Sequence, residues 1–148
     1  MNRIRIVEAP PSVEDYNRIR AAVGWGALEP SQIETALANS RYAVCAYIDD
    51  EIAGCARIVG DGAMFFYIQD MMILPEFQRG GVGSELMQYI GAHLERTAPQ
   101  NSFIGLMAAR DAAPFYEKHG IPKRLENSPG MGAWKNDRWP GPTFVGQQ

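Results

Sequence analysis

The chain has 148 residues, 46% of them hydrophobic and 21% charged, with a formal net charge of -3. A chain of that size is expected to form one domain, residues 1–148, burying roughly 70% of its unfolded surface without disulfides or metal, and its apolar content excludes a disordered chain. The acidic balance and the absence of any basic run exclude the electrostatic footprint of a nucleic-acid binder and suit a cationic substrate.

The first residues lack the apolar run of a signal peptide, and nothing later approaches the roughly 20 apolar residues of a membrane span, so the cytoplasm is the expected location and no membrane partner is expected. Cys45 and Cys55 lie in two strand-like runs on either side of Asp49-Asp50-Glu51, where a hairpin would make them neighbours. In a reducing compartment they read as small apolar residues. His93 and His119 stand far from them without ligand spacing, so no metal is assigned.

In chain order, Arg3 to Val7 reads as a short strand. Ser12 then occupies a helix N-cap position, and Val13, Tyr16, Ile19 and Arg20 follow at helical spacing to about Gly24. Pro30 and Ser31 open a second helix that ends near Asn39, which leaves Trp25 in the linking loop, either lining a site or packing on the core. Tyr42 to Tyr47 and Ile52 to Val59 form a strand pair, and Gly60-Asp61-Gly62 turns the chain into the run Met64 to Leu74. That run is apolar enough for a central strand covered on both faces, broken only by Gln69 and Asp70.

After Pro75-Glu76-Phe77 comes Gln78-Arg79-Gly80-Gly81-Val82-Gly83-Ser84, and Leu86, Met87, Ile90 and Leu94 then mark a helix ending by Pro99. Ser102 to Ala108 reads as a further strand, and Asp111 as the cap of a short helix carrying Phe115 and Tyr116, stopped by Gly120. Lys123 to Glu126 and Gly132 to Lys135, around Ser128-Pro129-Gly130, suggest a terminal hairpin, and Trp139-Pro140-Gly141-Pro142 an irregular tail.

A glycine-rich lead-in to a helix offers unpaired amides and the positive end of the helix dipole, both of which favour a phosphate. Gly81 and Gly83 permit close backbone approach, and the Arg79 guanidinium can add a charged contact. A tight turn without a ligand also explains many such loops, so spacing has to discriminate. The segment has neither the Gly-Lys-Ser/Thr of a nucleotide-hydrolysing loop nor a third glycine in dinucleotide-fold spacing.

Gln78-x-x-Gly81-x-Gly83, directly after a strand ending in Ile73-Leu74-Pro75, resembles the Gln/Arg-x-x-Gly-x-Gly/Ala signature of the GNAT superfamily of N-acetyltransferases. The stretch Ala112-x-x-Phe115-Tyr116-Glu117-Lys118-x-Gly120 follows in the family's order, so the resemblance covers roughly Ile52 to Ile121. It implies a mixed α/β (α+β) fold with a mostly antiparallel sheet of about six or seven strands, helices on both faces, and strands splayed beside Leu74. It implies acetyl-CoA as cosubstrate, its pyrophosphate held by the loop Gln78, Arg79, Gly80, Gly81, Val82, Gly83 and Ser84, and its pantetheine arm paired with the backbone of Met71, Met72 and Ile73. Tyr116 resembles the family's tyrosine that protonates the departing CoA thiolate. Where the family commonly has Asn three residues before the alanine, this chain has Ala109.

An ammonium has no lone pair for attack on a thioester, so the amine must lose a proton. Asp70, interrupting an apolar strand close to the expected thioester, is the candidate acceptor; the alternative is a buried aspartate satisfying a strand bulge. Glu85 and His93 rank below it, the first explained by the helix dipole and the second as an exposed helix residue. Trp25 and Tyr67 are the candidate acceptor-binding residues, beside a pocket the family builds from the first two helices and the C-terminal segment, and aromatics there suggest an aromatic or alkyl amine. The expected activity is acetyl transfer to a primary amine of a small molecule. Acetylation of a peptide or protein amine and a non-catalytic acyl-CoA-binding module are the alternatives. Many members of the family pair, which leaves a homodimer open.

Overall fold

Asp49 and Asp50 both adopt left-handed backbone, with φ of 50° and 62°, the conformation of a two-residue hairpin turn whose twist matches the flanking strands. In this computed structural model, which describes residues 3–137, that turn joins β2 (Tyr42–Ile48) to β3 (Glu51–Gly60). Cys45 lies directly opposite Cys55, as the spacing about the turn predicts, and both are buried free thiols. β1 (Ile4–Val7) pairs with β2, and β4 (Phe65–Ile73) with β3, all antiparallel. The β3–β4 turn is fixed by the Asp61 carboxylate, whose Oδ1 accepts the amides of Ala63, Met64 and Phe65 at 2.8, 2.7 and 3.0 Å.

β5 (Phe103–Gly105) joins β4 in parallel, after a crossover through one 3-10 turn (Pro75–Phe77) and the helix α3 (Val82–Thr97). The result is a mixed, mostly antiparallel sheet in the order β1-β2-β3-β4-β5. Among the described residues its five strands are fewer than the six or seven expected, because the stretch expected as a terminal hairpin, Lys123 to Lys135, carries no strand. Local bonds serve there instead, Ser128 N–H to the Leu125 carbonyl at 2.9 Å and the Arg124 guanidinium to the Ser128 carbonyl at 2.9 Å. The turn residues are present, but the flanks lack alternating β-branched residues, and Leu125, Met131 and Trp134 stay exposed. The tail at 139–142 lies outside the described residues.

Helices cover both faces of the sheet. α1 (Val13–Ala22) starts at Ser12, whose hydroxyl accepts the Asp15 amide at 3.1 Å, and α2 (Pro30–Ala38) starts with proline in its first turn. Tyr16, Ile19, Ile33 and Leu37 from these helices form one core with Cys45, Cys55 and Met72. The side chains of Tyr42, Val44 and Ala46 point to the other face, where the Tyr42 ring stacks on His93 of α3 at 4.1 Å between centroids. Leu86, Ile90 and Leu94 of α3 are buried, at the helical spacing read from the sequence. Among the described residues no helix is long and apolar enough to cross a membrane.

The chain divides into two units, one ending at Ala109 and the other beginning at Arg110. The second holds α4 (Ala113–Lys118), with Pro114 in the first turn and Gly120 at φ 88° just past the end. Asp111 does not cap it, contrary to expectation. Asp111 is itself left-handed, with φ 63°, and the cap position falls on Ala112, which has no side-chain acceptor.

Candidate functional site

β4 changes character along its length. Phe66 and Tyr67 pair with β3 on one edge and, together with Phe65, with β5 on the other, and Tyr67 is the last residue that β4 shares with β5. Beyond it β4 runs on to Ile73 with, among the described residues, only β3 beside it. The Leu74 amide donates to the Ala53 carbonyl at 2.8 Å, so the Ile73 carbonyl faces the other way, onto the open edge, where the Gln78 side-chain amide donates to it at 3.1 Å. By the two-residue period of a strand, the amides of Ile73 and Met71 face that edge too. The Met72 side chain is buried in the core beneath α1 and α2.

Gln78 thus ties the strand end to the loop that follows. Arg79 and Gly81 are both left-handed, with φ of 65° and 89°, and Gly81 is the N-cap of α3 with no side-chain hydrogen bond. The backbone of Gly81 accepts the Glu85 amide at 3.0 Å, whereas the amides of Val82, Gly83 and Ser84 precede the first amide that has an intrahelical acceptor. No atom of the described residues lies within 4 Å of where a Cβ on Gly81 would sit, so among them the loop is open on that side. An open strand edge leading into uncapped helix amides can hold an extended polar chain that ends in a phosphate group.

Asp70 sits at a bulge, with φ 58°, where the β3–β4 register shifts between Cys55 and Arg57. Its side chain is buried. Oδ2 accepts from the Arg57 guanidinium and from the Tyr16 hydroxyl, each at 2.7 Å, and Oδ1 from the Gln69 amide at 3.1 Å. Burial, and then the hydrogen bond to Asp70, push the Tyr16 phenol up to about 12, so it stays a donor. Of the two roles considered for Asp70, this arrangement favours holding a strand bulge over accepting a proton.

Trp25 lies in the α1–α2 loop, as expected, and is 40% exposed. The Asn17 side chain clamps Leu28 through two 2.9 Å hydrogen bonds, and Arg20 donates to the carbonyls of Gly26 and Trp25 at 2.9 and 3.2 Å while lying over the Trp25 ring. His93 is half-buried rather than exposed, and burial followed by the charge of Arg96 lowers its pKa. In the second unit, Tyr116 is buried on α4 with its ring edge-on to Phe115, and burial raises its phenol above the ordinary value. A protonated phenol at neutral pH can serve as an acid.

Three residues of this site were not singled out from sequence. Tyr16 and Arg57 reach Asp70 from 54 and 13 positions away. The charge of Arg57 inside an otherwise apolar strand was a readable signal; the Tyr16 hydroxyl gave none. Gly54 has to be glycine, since a Cβ there would lie 2.7 Å from the Met72 carbonyl oxygen, and a glycine inside a strand marks such a close approach.

Comparison with known proteins agrees with this geometry. The model of the acetyltransferase (GNAT) domain matches residues 39–120. A probable acetyltransferase from meticillin-resistant Staphylococcus aureus superposes with a TM-score of 0.84 at 26% identity, over 89% of this chain and 99% of that one. A GNAT-family acetyltransferase from Streptococcus pneumoniae TIGR4 gives 0.71 at 28% identity, over 93% and 99%. The uncharacterized N-acetyltransferase ycf52 of Pyropia yezoensis is 28% identical over 114 residues, 74% of this chain and 64% of that protein. The chain therefore aligns with less than two thirds of that curated relative's length.

Proposed function

Because this chain belongs to the GNAT acetyltransferase family, we propose that it transfers the acetyl group of acetyl-CoA to a primary amine of a small molecule. The observation that carries the reading is the open edge of β4 running into the uncapped start of α3. The amides of Val82, Gly83 and Ser84 bind the pyrophosphate, Arg79 and Gly80 shape the approach, and the backbone edge of Met71, Met72 and Ile73 aligns the pantetheine arm and the thioester. The neutral amine attacks the thioester carbonyl, the C–S bond breaks, and the sulfur takes the phenol proton of Tyr116. Much of the acceleration comes from holding amine and carbonyl in line and from strand amides facing the developing oxyanion. The amine proton leaves to solvent, since the Asp70 carboxylate already accepts three side-chain donors. Trp25 and Tyr67 contribute to an acceptor pocket for an aromatic or alkyl amine.

The test is incubation with acetyl-CoA and a panel of arylalkylamines, polyamines, aminoglycosides and short peptides, with free CoA and acetylated product separated by chromatography. Amine-dependent product from a small amine is expected. Product from peptides alone moves the substrate to a protein amine, acetyl-CoA binding without any product favours a binding module, and no binding overturns the proposal.

A further inference from the structure

We infer that Tyr16 and Arg57 are positioning residues for the acyl thioester: by both donating to Oδ2 of Asp70 they fix the bulge that aims the open β4 edge at Met71 and Ile73. The inference rests on the acetyl-CoA reading above.

Asp70 holds a left-handed backbone conformation that glycine accepts freely and that aspartate tolerates better than most residues with a side chain. The chain instead carries a carboxylate there, 3% exposed, in a setting where a charge is costly unless it is paired and hydrogen-bonded. Two of its three side-chain donors come from other elements, the third being Gln69 beside it on β4. Tyr16 belongs to α1, and Arg57 belongs to β3, from which its guanidinium also donates to the Ala36 carbonyl at 3.4 Å and the Ser40 hydroxyl at 3.3 Å at the end of α2. One carboxylate thereby ties the bulge to both helices on that face of the sheet.

The location gives the clamp its purpose. It sits past Tyr67, where β5 has ended, and before Ile73, so among the described residues the segment between has strand pairing on one edge only. A bulge there increases the local twist and re-aims the backbone groups that follow. Replacing a buried ion pair by apolar residues is often neutral or stabilising, so stability alone does not explain a buried Arg57–Asp70 pair with a 2.7 Å contact. Fixing one orientation of the strand edge does.

Tyr16→Phe is the informative variant, because it keeps the ring packing and removes only the hydroxyl. Binding of acetyl-CoA and of ADP, which carries a pyrophosphate without the pantetheine arm, is measured by calorimetry, and amide exchange at Met71 and Ile73 by NMR. Loss of a donor to a buried charge predicts acetyl-CoA binding weaker by about tenfold, kcat lowered alongside it, faster exchange at the two amides, and ADP binding unchanged. Arg57→Met shows the same pattern more strongly, with partial rescue in Arg57→Lys. Equal losses for acetyl-CoA and ADP, or unchanged exchange at Met71 and Ile73 in folded Tyr16→Phe, overturn the inference. Failure of the wild-type protein to bind acetyl-CoA overturns the proposed function, while the exchange data still decide whether the clamp exists.

Discussion

Two helices of this protein begin in opposite ways. α1 starts at Ser12, whose hydroxyl takes the Asp15 amide, with Glu14 and Asp15 in its first turn. α3 starts at a left-handed Gly81 with no side-chain cap. The first helix start is closed by its own sequence, and its partial positive charge is answered by carboxylates. The second leaves its leading amides to whatever arrives from outside, although a serine or aspartate cap would have stabilised it. Where a chain omits a cap and opens the backbone with glycine, the leading amides are left to water or, as in the function proposed above, to a bound phosphate.

The largest expected effect breaks the open start itself. In Gly81→Val the added Cβ meets no atom of the described residues but is forced into left-handed backbone, so folding stability falls by about 1–2 kcal/mol. Its methyls occupy the space a phosphate needs, and acetyl-CoA affinity is expected to fall by about 100-fold in calorimetry. Wild-type affinity in the folded variant would remove the loop from the cofactor site.

Tyr116→Phe separates binding from chemistry. Acetyl-CoA affinity stays unchanged and kcat falls by about 100-fold, the usual worth of a general acid. Burial raises the Tyr116 phenol above its ordinary 10.0, so the acid stays protonated through neutral pH and the wild-type rate is lost only as pH climbs past that value. The alkaline limb in a kcat profile disappears in the variant. An unchanged rate excludes Tyr116 from proton transfer.

The contrast between the two helix starts was already legible in the sequence. Ser12 ahead of Val13, Tyr16 and Ile19, and Gly81-x-Gly83 ahead of Leu86, Ile90 and Leu94, are local patterns in which cap chemistry and helical period agree. The hairpin that puts Cys45 opposite Cys55 was legible for the same reason. What escaped is nonlocal. The partners of Asp70 are chosen by how α1 and β3 pack, which no spacing encodes, and the missing C-terminal strands depend on cross-strand partners rather than on the turn at Ser128-Pro129-Gly130. Asp111 was misread because a residue type that favours N-caps also tolerates left-handed backbone.

Giving α3 a built-in anion sharpens the comparison. Gly81→Asp brings a carboxylate to the open amides in a backbone conformation that aspartate tolerates. The carboxylate then competes with the pyrophosphate for the same amides and repels it. The expected result is about tenfold weaker acetyl-CoA binding, partly restored by salt, with little change in thermal stability. Equal weakening at all salt concentrations would point to shape rather than charge.

The smallest effect comes from opening the closed start. Ser12→Ala removes the acceptor for the Asp15 amide and leaves the α1 backbone otherwise intact. The expected cost is about 1 kcal/mol of folding stability, read from the denaturant midpoint at constant slope. No gain of anion binding accompanies it, because Glu14 and Asp15, two carboxylates against the single Glu85 of α3, still occupy the first turn and repel a phosphate. An uncapped helix start is therefore necessary but not sufficient for the role assigned to α3. Gly81 must keep the approach clear, and the open β4 edge must deliver the thioester beside it. If Ser12→Ala did acquire affinity for ADP, the absence of a cap alone would account for binding at α3, and the strand edge and the Asp70 clamp would lose their part in cofactor recognition.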